Sequence, residues 1–205
     1  MRAAAALATV LLTVSSGNGD QHDPLAARTM GRPGAPVTVY EMSDFQCPYC
    51  RTFALTTLPA LEQEYVTTGK VRLVYINLPL TKIHANAAAA AAAGMCAARQ
   101  GRFWPMHDLL FRHQPDWEGL GKPRSYLLAL SDSASLDRAR FSACLASPEV
   151  AAEVQADARR AAGSGATSTP TFYIEGGLLE GAAPVEVFRA VLDSIYRSKM
   201  DTRAR

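Results

Sequence analysis

The chain has 205 residues, of which 48% are hydrophobic, and its 21 basic and 19 acidic residues leave a formal charge of +2. That length suffices for one well-buried domain, and near-balanced charges spread along the chain exclude a nucleic-acid-binding stripe or a strong steering field. Nucleic acid is not an expected partner.

Met1-Arg2, the apolar run Ala3 to Val14 and the following Ser15-Ser16-Gly17 read as a short export segment over 1–19. That run of twelve residues, ten of them apolar, falls short of the ~20 that span a bilayer. The processing region has no Ala-X-Ala, so a cleaved leader and a retained N-terminal tether both fit, and an alanine-rich cytosolic tail is the alternative. Export would place the four cysteines in an oxidising compartment, periplasmic or otherwise extracytoplasmic. Residues 20–35, rich in Gly, Pro and Asp, read as a linker.

The folded part is expected over 36–198, with 199–205 as a tail. Val37 to Met42 is β-branched and apolar, a strand. Pro48 suits a first helical turn, and Phe53, Leu55, Leu58, Leu61 and Tyr65 recur helically, with Pro59 expected to kink that helix. Val71 to Ile76 is a second strand, giving a βαβ unit with a right-handed crossover. Between about 81 and 165 only helices are expected: Ala85 to Arg99 with its seven consecutive alanines, Phe103 to His113, Arg124 to Leu130, Leu136 to Leu145 and Glu149 to Ala162. Ser147-Pro148 reads as a cap and first-turn proline. Thr171 to Glu175, a Gly176-Gly177 turn and Leu178 to Glu180 form a hairpin, and Pro184 opens a last helix. The order βαβ, helices, ββα fits an α/β fold with one mixed sheet and an all-helical insertion.

The chemistry concentrates at Cys47-Pro48-Tyr49-Cys50, where the first strand turns into the helix. Unpaired N–H groups and the positive end of the helix dipole favour a thiolate at Cys47. A pKa of ~5 there would stabilise the dithiol at pH 7 by about 2.7 kcal/mol, about 60 mV toward an oxidant. Glu41, six residues before Cys47, shares a strand face with Val37 and Val39. Burial would raise its pKa and suit it to proton exchange with Cys50; a solvated carboxylate is the alternative.

Ser43 to Cys50, Gln100 to Trp104 with His107 to Phe111, and Ser168-Thr169-Pro170-Thr171-Phe172 together resemble the DsbA-like branch of thioredoxin-fold proteins over about residues 35 to 198. The resemblance implies an exposed nucleophile at Cys47 and a buried resolving thiol at Cys50; between them, in the Pro48-Tyr49 pair of the motif, Tyr49 is placed to tune the Cys47 pKa. It further implies a cis proline at Thr169-Pro170 beside the thiols, where an extended substrate pairs. In several such proteins a second, structural disulfide joins helices at positions matching Cys96 and Cys144. The residues alone leave those two either paired or as buried thiols. A loop of 49 residues, counted from Cys96 through Cys144, would be worth about 4 kcal/mol.

A single Cys-X-X-Cys with two distant cysteines argues against a zinc site, and no metal is expected. His84, His107 and His113 read as core or helix-end residues. Phe103, Trp104, Leu109, Leu110 and Phe111 form an apolar stripe for the core, or in part for a peptide groove. The expected activity is thiol-disulfide exchange with exported cysteine-containing proteins, needing no cofactor beyond the Cys47-Cys50 disulfide. A monomer is expected. As a disulfide donor it would need a quinone-linked membrane reoxidant resembling DsbB or a vitamin K epoxide reductase homologue. Reduction or isomerisation by the same fold remains open, as does a peptide-binding holdase with a merely structural disulfide.

Overall fold

The computed structural model describes residues 25–204; the expected export segment and the first part of the expected linker lie outside them. Five strands form one sheet in the order β1-β3-β2-β4-β5: β1 Thr29–Met30, β2 Val37–Ser43, β3 Val71–Asn77, β4 Thr171–Ile174 and β5 Gly177–Glu180. Strands β2 and β3 are parallel, with Glu41 opposite Tyr75, and the other pairs are antiparallel. Antiparallel β4 returns beside β2, pairing Glu41 with Phe172. The far end of the chain is thereby delivered to the strand that leads into the thiols.

The strands alternate as their residues require. Val37, Val39, Leu73, Phe172 and Ile174 face a core closed by Phe53, Leu58, Leu61, Phe188 and Leu192. Met42, Val74 and Ile76 face the opposite side, against Ala161. The helix after the active turn runs from α1 Pro48–Thr52 through α2 Leu58–Leu61, each followed by a π-helical turn, Phe53–Thr57 and Glu62–Val66. Pro59, expected to kink an α-helix, lies in the short α2 segment between the two wide turns, where Leu58 N–H reaches back to the Phe53 carbonyl.

The insertion holds α3 Ala87–Ala98, α4 Phe103–Arg112, α5 Gln114–Trp117, α6 Arg124–Ser133, α7 Arg138–Cys144 and α8 Pro148–Gly163. The alanine-rich face of α3 is buried at Ala87, Ala90, Ala91 and Ala93, and a Cβ on Gly94 would lie 3.1 Å from the Phe45 ring. Small residues here let the insertion approach the active turn. Cys96 on α3 and Cys144 on α7 form a disulfide. Ser147 makes no backbone cap; its hydroxyl bonds Glu149 instead.

Three differences from the sequence reading stand out. Part of the expected linker is structured: Thr29 and Met30 pair with Val74 and Leu73, and the preceding Arg28 is fully buried. Its guanidinium pairs with Asp157 of α8, which also accepts from the Asn77 side chain at 2.8 Å. Local composition gave no hint of a partner 129 positions away. Second, the hairpin turn is Glu175-Gly176, both at positive φ, one residue earlier than expected. A two-residue turn of this kind needs positive φ at both positions, and Gly177 is thereby free to begin β5. Third, α9 Val185–Arg203 extends through most of the expected tail.

Replacing Cys96 and Cys144 together by alanine is expected to lower stability by about 4 kcal/mol on the loop-entropy relation, read as a fall in denaturant midpoint. The thiols at Cys47 and Cys50 should titrate unchanged in that variant.

Candidate active site

Strand β2 ends at Ser43, and the next four residues carry the chain over to α1. Asp44 shapes this passage. One carboxylate oxygen accepts from Gln46 N–H at 2.8 Å, the two-residue reach of an Asx turn. The other accepts from Leu80 N–H at 2.8 Å and lies 2.8 Å from His84 Nδ1. Asp44 therefore ties the active turn to the loop after β3, and its own N–H points at Cys50 Sγ, 3.5 Å away. Gln46 adds a second tie, accepting from Asn86 N–H at 2.7 Å and donating to the Glu118 carbonyl at 2.9 Å.

Cys47 occupies the N-cap position with extended backbone, and Pro48 is the first helical residue. Its sulfur lies 3.3 Å from the carbonyl of Thr169, which precedes the cis Thr169-Pro170 bond. Gln114, on α5, donates to the Cys47 carbonyl at 3.1 Å and to that of Phe45 at 2.7 Å. These neighbours cover Cys47 to 4% exposure, where an exposed nucleophile was expected, while Tyr49 stands 66% exposed. Cys50 is fully enclosed.

Both thiols are reduced, and their acidities diverge. Cys47 is lowered to about 6, chiefly by the Cys50 thiol donating to it, against its own burial and with help from Thr169 and the N–H groups of Cys50 and Tyr49. Cys50 is pushed well above its ordinary value by burial and by the neighbouring Cys47 sulfur. One thiol is thus ionised near neutral pH while its partner keeps its proton.

Glu41 is fully buried, and burial raises its carboxyl to about 7, with Ser43 acting in the opposite direction. Cys47, Cys50, Glu41, Thr169 and Pro170 therefore meet in one place, while the Cys96–Cys144 disulfide lies elsewhere, between α3 and α7. His107 is enclosed among Phe45, Tyr75, Trp104 and Phe111, and burial lowers its pKa. His113 lies 3.0 Å from Asp116. Among the described residues no cluster of His, Cys, Asp and Glu could hold a metal. Of the apolar stripe, Phe103, Leu110 and Phe111 are core, whereas Trp104 and Leu109 line an open groove of about 620 Å³ with Leu55 and Pro59.

Sequence reasoning missed Asp44, Gln46, Asn86 and Gln114, and read His84 as a core or helix-end residue, where it lies in the turn before α3 with its ring on Asp44. Asp44 carried a signal, an Asp two residues before an N–H that must be turned; Gln114 and Asn86, whose side-chain amide donates to the Leu120 carbonyl at 2.8 Å, act through carbonyl contacts that leave none.

A family profile described as thioredoxin matches residues 25–194. The chain belongs to the thioredoxin family. The probable disulfide bond formation protein D of Bacillus anthracis is 30% identical over 178 residues, covering 84% of this chain and 82% of that protein. The Na(+)/H(+) antiporter NhaA 3 of Salinispora tropica is 38% identical over 176 residues, 86% of this chain but 26% of its own length. The chain thus spans about a quarter of the antiporters it matches, and among the described residues no helix is long and apolar enough to cross a membrane. Of solved structures, oxidised BdbD from Bacillus subtilis superposes with a TM-score of 0.75 at 23% identity over 83% of this chain and 92% of that one. Wolbachia pipientis alpha-DsbA1 gives 0.76 at 21%, over 85% and 93%. Both show the DsbA-like form of the thioredoxin fold, a sheet with a helical insertion.

Glu41 makes a signed prediction for stability. Its folded pKa, about 7, lies above the ordinary 4.5, so its contribution is fully present below pH 4.5 and is lost as pH rises through 7. Wild type should therefore lose on the order of 3 kcal/mol relative to Glu41→Gln between pH ~4.5 and ~8, measured by urea unfolding at the two pH values.

Proposed function

We propose that the protein is an exported thiol-disulfide oxidoreductase that exchanges a Cys47-Cys50 disulfide with cysteines of protein substrates, acting as a disulfide donor. The observation that carries this reading is the split between the two thiols, Cys47 lowered to about 6 and Cys50 raised well above 9. A merely structural disulfide needs no such asymmetry.

In the donor direction a substrate thiolate attacks Cys47 Sγ, and the Cys47-Cys50 bond breaks with its electron pair on Cys50. Cys50 takes up a proton. The substrate's second thiolate then attacks the mixed disulfide at the substrate sulfur, and Cys47 leaves as a stable thiolate. The Thr169 carbonyl beside Cys47 and the proline after it, which has no N–H, offer an extended peptide a backbone partner next to the reacting sulfur.

The lowered thiol of Cys47 supports the donor direction. A Cys47 pKa of about 6 against 9 stabilises the dithiol at pH 7 by at most about 1.4 kcal/mol before solvent screening, about 30 mV toward an oxidant. That is half the shift a pKa of ~5 would give. The name of the Bacillus anthracis relative supports the same direction. No cofactor beyond the disulfide enters the exchange. A donor must be recharged, and a quinone-linked membrane protein of the DsbB or vitamin K epoxide reductase kind is the class of partner that would do so outside the cytoplasm.

Equilibration against glutathione, with the Cys96–Cys144 pair followed separately by mass, is expected to give a potential above the about −270 mV of thioredoxin. A value at the thioredoxin end would reverse the direction to reduction or isomerisation. Cys47→Ala should abolish exchange altogether, and residual turnover in that variant would return the disulfide to a structural role.

A further inference from the structure

Four buried polar atoms lie behind Cys50 without a hydrogen bond of normal geometry: both carboxyl oxygens of Glu41, the Ser43 hydroxyl and the Tyr75 hydroxyl. Their convergence is built into the sheet. Glu41 and Ser43 are two apart on β2 and share a face, and Tyr75 is Glu41's partner on β3. Asp44 N–H, one residue beyond Ser43, points at Cys50 Sγ from 3.5 Å, which brings that sulfur against the end of the same strand. Ser43 is 1% exposed, and Glu41, Tyr75 and Cys50 are fully buried, so bulk water does not reach the group.

A buried hydroxyl that forms no fixed bond calls for an explanation. Ser43 offers one O–H and two lone pairs on a freely turning rotor, and it lies between three claimants. It shares the β2 face with Glu41, whose β3 partner is Tyr75, and precedes the Asp44 N–H that points at Cys50 Sγ, so it stands beside all three with a fixed bond to none; its lowering of all three pKa values agrees with that placement. Tyr75 is held well above its ordinary pKa and keeps its proton, leaving Glu41 and Cys50 as the pair between which a proton can move.

We propose that Ser43 relays the proton between the Glu41 carboxyl and Cys50 during disulfide exchange. The inference rests on the exchange reading given above and adds a path to it. When substrate attacks Cys47 and the disulfide opens, the electron pair is left on Cys50 Sγ. Ser43 Oγ–H gives its proton to that thiolate while Ser43 Oγ takes the proton of the Glu41 carboxyl. Cys50 becomes a thiol, Ser43 is restored, and Glu41 is left as a carboxylate. When Cys50 instead attacks a mixed disulfide, both transfers run backward.

The titratable and charged groups facing Glu41 are few. Cys47 and Cys50 come from the active turn and α1, and Tyr75 comes from β3. His107 of α4 lies edge-on to Tyr75, and burial disfavours its charged form. Asp44 turns its carboxylate away, toward Leu80 and His84. In the disulfide form neither cysteine titrates; His84 lies beyond Asp44, and the rate limb near pH 7 that Glu41→Gln removes is the one that belongs to Glu41.

The test is stopped-flow reduction of the full-length disulfide form by dithiothreitol across pH ~5 to ~9, with rates divided by the dithiothreitol thiolate concentration. Wild type should be fast below pH 7, where Glu41 is protonated, and slower above it. Ser43→Ala should lose that limb and fall at least about tenfold at low pH, to the level of Glu41→Gln, and Ser43→Thr should restore it. A Ser43→Ala profile identical to wild type overturns the relay while leaving the exchange reading intact. A wild-type disulfide reduced no faster than that of free glutathione overturns both. Should Ser43→Ala fail to fold, the wild type alone decides through rates in mixtures of light and heavy water. Two protons in flight give a curved dependence on deuterium fraction, and a straight line overturns the relay.

Discussion

Two sulfurs three residues apart must be held in environments of opposite sign. Cys47 sits where helix N–H groups gather and no backbone bonds consume them, while Cys50, one turn on, points into the protein against a strand that carries a carboxyl. The first environment comes from the Cys50 thiol, with Thr169 and the first N–H groups of the helix adding to it. The second needs a sheet, because only a strand running directly beneath the helix N-terminus can present Glu41 and Ser43 to the inner sulfur and then continue through Asp44 into the active turn. The central place of β2, flanked by β3 and β4, follows from that requirement.

Holding a carboxyl there destabilises the fold whenever Glu41 is ionised, and the surrounding packing offsets it. Phe45 stacks on Tyr75 at 4.9 Å and meets Phe103 and Phe111, while α3 closes over it at Gly94. The helical insertion is therefore the roof of the buried acid as well as a cover for the thiols. Its own integrity is fastened by a covalent link between α3 and α7, remote from the chemistry.

Legibility in the sequence followed the range of the interaction. The thiol pair, the first-turn proline and the alternation that buries Glu41 are local patterns, read within a dozen residues. From β2 onward the order of strands and helices, short α5 apart, was legible too, because β-branched runs and alanine-rich segments carry their own periodicity. Arg28 lay hidden because its meaning is a carboxylate at Asp157, far along the chain. Gln114 and Asn86 lay hidden for a related reason: they bond backbone carbonyls, which every residue has, so no partner residue type betrays them. Even the exposure of Cys47 was a long-range quantity, decided by Thr169 and Gln114 rather than by its neighbours in sequence.

The clasp of Arg28, Asp157 and Asn77 also fixes the geometry of attachment. Asn77 is the last residue of β3, and β3 runs parallel to β2, so the clasp sits at the end of the sheet from which the active turn departs. Since β1 runs antiparallel to β3, the chain ahead of it reaches the fold at that same end, two strands across from β2. Any leash joined at residue 25 would thus hold the molecule by its reactive pole.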